Sequence, residues 1–260
     1  MSRRWRRRGR EPAVGGARVT RHRWWVGSGQ VVAIAGRDLR STTFSAFGIG
    51  CAAGLAALSG VVLVLDLRPG QARLDQWFAA LVVVVGLVAV LVTTRSFAEE
   101  ERQGSLELLL TAPVRTWQVV AGKLLGSVGA LGLVLVTTVV CPLLVAQLGH
   151  PDGGPIVTGY AGLVLAGLAF TATGLAVSAA TASSLVSGAG TAAALLGLWA
   201  GGLLATGLRG WPGTVLAYLS PASHLTGFLR GTISATDVAY FLSVAVIGFG
   251  ATVAVLACRR

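Results

Sequence analysis

Six long apolar runs constrain the fold of this chain more than any other feature of its sequence. Each run is long enough, or nearly so, to cross about 30 Å of hydrocarbon as a helix. Their approximate bounds are residues 44–65, 78–94, 118–146, 157–180, 185–207 and 236–258. Hydrophobic residues make up 54% of the chain and charged residues only 12%, which excludes an ordinary soluble domain. The sequence therefore predicts an all-α polytopic membrane protein with six transmembrane helices.

Two features of these runs predict local shape. The third run is long and contains Pro142, which has no amide hydrogen, so we expect this helix to tilt or kink. The fourth and fifth runs are separated only by Thr181 to Ser184, which predicts a tight hairpin. Taken together as one segment, the two runs exceed the length of any single span.

The unequal distribution of basic residues predicts the orientation. Eleven Lys and Arg lie in the first 40 residues, four in residues 95–123 and two at the C-terminus, against four in the other loops. Because Lys and Arg collect in cytoplasmic loops, both termini, residues 95–123 and the turn at 181–184 are predicted to be cytoplasmic. The segments predicted to be external are residues 66–77, 147–156 and 208–235. The expected location is the cytoplasmic membrane of the cell, with several passes.

The basic N-terminal arm, residues 1–27, is predicted to be disordered and cytoplasmic. Anionic lipid at the cytoplasmic face explains its charge more simply than a nucleic acid does, so we expect the bilayer and no nucleic acid as a partner. A transmembrane domain is predicted for residues 28–260. At its start, residues 28–42 predict an amphipathic helix in the membrane interface, with Arg37, Asp38 and Arg40 on its polar side.

A polar stretch, Arg95 to Lys123, separates the second and third apolar runs and carries eight charged residues, more than any other stretch after residue 40. Gly104 interrupts any preceding helix, and the Ser105 hydroxyl can cap the next one. The residues that then share a helical face are Leu106, Leu109 and Leu110, with Glu107 beside them. Pro113 ends or bends this helix. The stretch therefore predicts a short amphipathic helix at the membrane surface, and an ordinary loop between two membrane helices is the alternative.

This stretch resembles the corresponding loop of the ABC-2 type transporter permeases, closest to the branch of gliding-motility and copper-processing export permeases. The residues that carry the resemblance are Phe97, Glu100, Glu101, Gly104, Ser105, Leu106, Glu107, Leu109, Leu110, Thr111, Pro113, Val114, Gly122 and Lys123. Ser105 stands where the family has Thr and keeps the capping hydroxyl. The resemblance implies that the amphipathic helix couples the membrane domain to a separate ATPase subunit.

Two further segments resemble the same family. Arg37, Asp38 and Arg40 resemble the elbow before its first membrane helix, although Thr42, Thr43 and Phe44 stand where a proline and an aromatic residue are common. In residues 208–235, either Ser220 or Ser223 can cap a short helix through residues 221–229. The residues here and at the start of the last apolar run that resemble the family are Leu219, Ser220, Pro221, His224, Phe228, Arg230, Gly231, Asp237, Tyr240 and Phe241. Those taken as candidate site residues are Ser220, Pro221, His224, Arg230 and Gly231. The family's last external loop dips partly into the membrane, which is therefore expected here.

No catalytic motif accompanies these features. Gly122-Lys123 is not a P-loop, because Trp117 stands in place of the first Gly and Leu124 in place of Ser or Thr. The cysteines and histidines have no metal-ligand spacing. The nearly uncharged spans argue against an intramembrane enzyme and against an ion-coupled secondary transporter, which remains an alternative. A structural membrane anchor and an assembly factor that does not transport are further alternatives.

Residues and resemblance together predict the permease half of an ABC-2 type export system, which is not itself an enzyme. We expect two ATPase subunits, which bind ATP and Mg²⁺, and a second permease subunit that is identical or related. No cofactor or metal is expected in this chain. ATP-driven closure of the ATPases is expected to push on the 105–112 helix.

Overall fold

The computed structural model describes residues 27–43, 45–66, 74–94, 96–97, 115–148, 153–208 and 210–258. These residues form ten helices and no β-strand, so the predicted all-α fold is confirmed. The helices are α1 (Gly27–Thr43), α2 (Ala46–Asp66), α3 (Asp75–Thr94), α4 (Thr116–Thr138), α5 (Val140–Leu148), α6 (Gly153–Ala180), α7 (Ser184–Ala205), α8 (Trp211–Leu219), α9 (Pro221–Leu229) and α10 (Ala235–Cys258).

Six of the segments that the structure describes are long and apolar enough to cross a membrane. They are α2, α3, α4 together with α5, α6, α7 and α10. The predicted number of transmembrane helices is therefore confirmed. The second and fourth spans begin a little earlier than the apolar runs indicate, at Gln76 and Gly153. Residues 181–183 join α6 to α7 in the tight hairpin that the sequence predicts.

The fourth span, α6, lies at the centre of the bundle, and its glycines allow neighbouring helices to approach closely. A Cβ at Gly159 would lie 2.8 Å from Cε1 of Phe78 in α3. A Cβ at Gly162 would lie 2.9 Å from the Cβ of Phe228 in α9. Further along α6, Gly167 faces Leu131 of α4, and Gly174 faces Thr93 of α3 and Thr191 of α7. Small residues at such contacts are what helix packing in lipid favours.

The last span, α10, packs along α6 through a glycine of its own. A Cβ at Gly248 would lie 2.7 Å from the carbonyl carbon of Ala172. Because this neighbour is backbone, no side-chain movement could make room for a larger residue. The outer helices α2 and α7 are much less buried than α6, with 18% and 11% of their spans inside the bundle against 61%. The core is therefore built around α6, on which α3 and α10 pack closely.

The third span is interrupted at Val139, between α4 and α5. The Val139 amide donates to the Val136 carbonyl at 3.2 Å, a bond that tightens the helix at its end. Pro142 follows in the first turn of α5 and offers no amide hydrogen to the Thr138 carbonyl. Regular α-helical hydrogen bonding is therefore interrupted just before Pro142, while the Val139 backbone stays right-handed helical, with φ −61° and ψ −23°. The predicted tilt or kink stays a prediction.

The two ends of the bundle bring together different segments. At one end Phe97, which follows α3, is buried with Val119 of α4 and Leu256 of α10. At the opposite end Trp77 and Phe78, at the start of α3, contact Tyr160 of α6 edge to face. The ends of α3 and α10 and the start of α4 thus share one end, as the predicted alternation of spans requires. The assignment of that end to the cytoplasm stays a prediction.

Candidate functional site

The polar stretch between α3 and α4 is described only at its two ends. The residues predicted to couple to an ATPase lie outside the described part: Glu100, Glu101, Gly104, Ser105, Leu106, Glu107, Leu109, Leu110 and Pro113. Their role, and the short helix that carries them, stay predictions. Residues 96 and 97 before them and Arg115 after them are described, and both ends of the stretch are fixed on the bundle.

Ser96 and Phe97 fix the start of the stretch. The Ser96 amide donates to the Thr93 carbonyl at 3.1 Å and so continues the last turn of α3. The Phe97 side chain is only 1% exposed, and its amide donates to the Ser178 hydroxyl of α6 at 3.2 Å. Full burial of a phenylalanine stabilises by about 1.5–3 kcal/mol. The chain therefore leaves α3 from a well-anchored position.

Arg115 and Gln118 fix the end of the stretch. Arg115 directly precedes α4, and its amide donates to the Gln118 side-chain oxygen at 3.0 Å. Gln118 is buried in the first turn of α4. A side chain that reaches back in this way satisfies one of the amides left unpaired at a helix start. The entry into α4 is thus set by contacts within its first turn.

Lys123 is a buried cation near the start of α4. Its side chain is 2% exposed, and its Nζ donates to the Ser96 carbonyl at 2.6 Å. The same Nζ lies 3.9 Å from Oδ1 of Asp38 in α1 and 4.8 Å from the centre of the Phe97 ring. A buried charge is costly unless it is paired and hydrogen-bonded. The carbonyl, the carboxylate and the aromatic face together compensate that cost.

The helix α1 packs lengthwise on a glycine face of α4. A Cβ at Gly122 would lie 2.7 Å from Cγ2 of Ile34, and one at Gly126 would lie 2.9 Å from the Cβ of Asp38. Backbone is close as well, because the Val31 carbonyl oxygen would lie 3.2 Å from the Cβ at Gly122. This spacing of two glycines four residues apart is the one that allows helix backbones to approach in membranes.

The three predicted elbow residues divide between the two sides of α1. Asp38 is half-buried toward α4 and lies near Lys123, whereas Arg37 and Arg40 are exposed. The amphipathic helix predicted for residues 28–42 is therefore present as α1, but one member of its predicted polar side faces another helix. Its position in the membrane interface stays a prediction. We call Asp38, Ser96, Phe97, Lys123 and Ser178 the Lys123 junction.

A second polar group lies at the opposite end of the bundle, around α9. This helix runs from Pro221 to Leu229, the range predicted from the sequence. Ser220 occupies the cap position, but its buried hydroxyl makes no hydrogen bond to the described residues. The Ser223 hydroxyl instead donates to the Ala217 carbonyl of α8 at 2.6 Å. Capping by either serine hydroxyl is therefore not observed, and Ser223 ties α9 to α8.

His224 connects α8, α9 and α10. Its Nε2 lies 2.9 Å from the Tyr218 carbonyl oxygen, and its Nδ1 lies 2.7 Å from Oδ1 of Asp237. The ring stacks on Tyr240, with centroids 4.1 Å apart, and the Tyr240 hydroxyl donates to the Leu219 carbonyl at 2.6 Å. A carbonyl only accepts hydrogen bonds, so Nε2 donates to Tyr218. We call Tyr218, His224, Asp237 and Tyr240 the His224 cluster.

Arg230 and Gly231 end α9. The Thr232 amide donates to the Gly227 carbonyl at 3.0 Å, and the Gly231 amide donates to the Phe228 carbonyl at 3.2 Å. Gly231 has a φ of 87°, so this pair of bonds is a Schellman cap. The Arg230 side chain is exposed. Gly231 thus reverses the chain and allows Asp237, at the start of α10, to meet His224.

The chemistry that these groups offer is structural. Both nitrogens of the His224 ring already contact protein oxygens, so neither is positioned to take a proton from a substrate. Over the described parts of the chain, no group of three or more His, Cys, Asp or Glu is arranged to hold a metal ion. The Lys123 junction and the His224 cluster each join several helices at one end of the bundle.

The family resemblance includes Lys123, Asp237 and Tyr240 but gives them no role in a site, and it does not include Tyr218. Besides that resemblance, a lysine near the start of an apolar run points to Lys123, because a buried cation there needs partners. Tyr218 contributes its main-chain carbonyl, for which residue type gives no signal, and a ring that contacts His224 edge to face, with centroids 4.9 Å apart.

The comparison with protein families identifies most of the chain. The family described as "ABC-2 family transporter protein" matches residues 29–258, which include both the Lys123 junction and the His224 cluster. The match starts just inside α1 and ends at the last residue of α10. Among curated proteins, none matches the chain.

Proposed function

The chain belongs to the ABC-2 family of transporter proteins, and we propose that it is the permease half of an export system driven by a separate ATPase. Membership makes it the membrane subunit of an ABC transporter, and such subunits generally pair with an ABC ATPase. One observation carries the further step to a coupling role. Both ends of the polar stretch are held at the same junction, because Lys123 bonds the Ser96 carbonyl across it. A segment that receives a push needs such a fixed base.

The assembly that we propose contains two permease subunits, identical or related, and two ATPase subunits. Together the two permeases contribute about twelve spans. The ATPases bind ATP and Mg²⁺, and this chain needs no cofactor of its own. Both termini and residues 95–123 face the cytoplasm, where the ATPases lie.

The proposed mechanism is a movement that passes from the ATPases to the bundle through the polar stretch. Closure of the ATPases pushes on the 105–112 helix. The push enters α3 through Phe97 and α4 through its first turn. Phe97 and the first turn of α4 are packed on α6 and α10, so the movement also reaches these two helices. Motion of these helices around α6 changes the access of the bundle from one side of the membrane to the other.

A hydrophobic or amphiphilic cargo fits the spans best. Over the described residues, Lys123 and Asp237 are the charged side chains within the six candidate spans. Both of them take part in the contacts described above. A strongly charged cargo would cross a path with few partners for its charges.

Copurification tests the partnership. The tagged protein, extracted from its native host in mild detergent, is expected to bring down a protein with Walker ATPase motifs. ATP hydrolysis by the isolated chain without any partner would contradict the proposal, since the proposed division of labour places all hydrolysis in the ATPase.

The docking residues are tested by affinity for that ATPase in nanodiscs. The double substitution Leu109→Ala/Leu110→Ala is expected to weaken binding at least about tenfold, because each buried leucine contributes about 1.5–3 kcal/mol. Leu133→Ala/Val136→Ala removes apolar surface of the same kind from exposed positions on α4 and serves as the control. If the Leu109/Leu110 variant bound the ATPase with unchanged affinity, the proposed coupling role of the polar stretch would be wrong.

Orientation is tested by cysteine labelling in intact cells. In a cysteine-free background, single cysteines at Gln71, Asp152 and Arg209 are expected to react with an impermeant maleimide, and a cysteine at Gln103 is expected to remain unlabelled. The opposite pattern would reverse the orientation and separate the polar stretch from any cytoplasmic ATPase.

A further inference from the structure

We propose that Lys123 is a positioning residue, which fixes the two ends of the polar stretch to each other and to α1, so that α1, α3 and α4 move together. The inference rests on the proposed function, because it concerns how the push on the stretch enters the bundle. It adds α1 to the moving parts and assigns the link to one side chain.

The hydrogen bond from Lys123 joins the two ends of the polar stretch. Ser96 precedes the polar stretch and Lys123 follows it, so their 2.6 Å hydrogen bond closes the stretch at its base. The acceptor is a main-chain carbonyl, so this link depends on residue 123 and not on the residue type at position 96. A charged donor also makes a stronger hydrogen bond than a neutral one.

The junction is also connected to α1. The chain between α1 and α4 passes through two spans, so α1 follows α4 only if contacts hold it there. Packing on Gly122 and Gly126 supplies shape, and the Asp38 carboxylate 3.9 Å from Lys123 supplies charge. The Asp38 side chain is 20% exposed, so this ion pair is weaker than the bond to Ser96.

The junction is also attached to α6. The Phe97 amide donates to Ser178 of α6, the helix at the centre of the bundle. Lys123 lies over the Phe97 ring, so one side chain contacts α1, the end of α3 and the residue bonded to α6. Removing Lys123 therefore loosens three elements at once, whereas removing an exposed cation nearby loosens none.

A protease experiment tests this link without any ATPase. Four of the five glutamates of the chain, Glu99, Glu100, Glu101 and Glu107, lie in the polar stretch, so a glutamate-specific protease reports on it. In nanodiscs, Lys123→Met is expected to speed cleavage there about tenfold, because a charged hydrogen bond at the base is lost. Arg40→Met, which removes an exposed cation from α1, is expected to stay within about twofold of the parent protein. Equal rates for Lys123→Met and the parent would overturn the proposal.

A second variant covers the case in which Lys123→Met does not yield monodisperse protein. Asp38→Asn keeps the lysine and its bond to Ser96 but removes the carboxylate, and a smaller increase of about threefold is expected. Cleavage of Asp38→Asn at the parent rate would overturn the link between α1 and the base of the stretch.

Kinetics separate a positioning role from a loss of fold. With the ATPase partner bound, Lys123→Met is expected to lower the kcat of ATP hydrolysis at least about threefold, while the KM for ATP and the affinity between subunits stay unchanged. An unchanged kcat in a complex of the same affinity would overturn the positioning role. Loss of fold would instead reduce the amount of complex, and Asp38→Asn then provides the test. Failure of the parent protein to bind any ATPase would remove the proposed function but would leave the cleavage result standing.

Discussion

The Lys123 junction and the His224 cluster each surround one buried basic side chain, yet their partners come from very different distances along the sequence. Lys123 bonds Ser96, 27 residues away, and pairs with Asp38 of the first helix. His224 contacts Tyr218 and Asp237, which are 6 and 13 residues away. The Lys123 junction thus forms only when helices from distant parts of the chain pack together, whereas the His224 cluster forms within three consecutive helices.

This difference indicates how each end responds to disturbance. The His224 cluster is held by two short hydrogen bonds and a stacked ring, so α8, α9 and the start of α10 behave as one local unit. The Lys123 junction depends on a long, flexible side chain and on helix packing at glycines. Changes at the junction should therefore spread through the bundle, and changes at the cluster should remain at its own end.

The largest effect is expected when α1 is separated from α4. The double substitution Gly122→Ala/Gly126→Ala places methyl groups against Ile34 and Asp38, and overpacking of this kind should lower the Tm by about 5–10 °C. Gly132→Ala on the same helix, where a Cβ meets nothing within 4 Å, is the matched control and should not lower the Tm. Thermal unfolding in nanodiscs measures both. A double variant that melts with the parent would show that α1 is not held by these glycines.

A smaller effect is expected from the His224 cluster. His224→Gln removes the ring that joins Tyr218, Asp237 and Tyr240, and should lower the Tm by about 4–8 °C. Cleavage of the polar stretch by the glutamate-specific protease should stay at the parent rate, because that stretch lies at the other end. Thr226→Ala, which removes a hydroxyl bonded only within α9, is the control. Faster cleavage in His224→Gln would break the distinction between the two ends.

The hydroxyl of Tyr240 should contribute less than the His224 ring. Tyr240→Phe removes the 2.6 Å bond to the Leu219 carbonyl but keeps the aromatic stack on His224. The loss of about 1 kcal/mol should lower the Tm by about 2–4 °C. A drop as large as that of His224→Gln would mean that the hydroxyl, not the imidazole, holds α8 to α10.

The smallest effect is expected on the exposed side of α1. Arg37→Gln/Arg40→Gln changes two side chains that face away from α4, so the Tm should move by about 1 °C or less. Both changes leave Asp38 in place beside Lys123. A large shift in thermal unfolding would place these arginines in the contacts that hold α1, contrary to their exposure.

Sequence reasoning finds the spans and part of the His224 end, for identifiable reasons. A helix that spans lipid requires a long apolar run, so the six spans can be located from the hydrophobicity along the sequence alone. The order Ser220-Pro221 marks the start of α9, because proline is favoured in a first helical turn. Such signals act over a few residues, and the elements that they specify are the ones predicted.

The contacts between elements are not visible in the same way. Gly54 in α2 has open space where a Cβ would stand, whereas Gly159 in α6 contacts Phe78, and both lie in similar apolar runs. Lys123 and Asp38 likewise show no spacing that connects them, because two spans lie between α1 and α4 in the chain. The Lys123 junction therefore had to be read from the packed structure.

The interruption of regular helical hydrogen bonding at Val139 is a point about which α4 can pivot as a rigid helix. The helix has 23 residues from Thr116 to Thr138, which corresponds to about 34 Å of length at 1.5 Å per residue. A rotation of about 5° at this point would carry Thr116 sideways by about 3 Å, by the same helix geometry. Because α4 is long, a small rotation beside Pro142 produces a displacement at its far end that is as large as the length of a hydrogen bond. Conversely, a displacement of that size at Thr116 requires a rotation of only a few degrees at Val139, where regular helical hydrogen bonding is already interrupted.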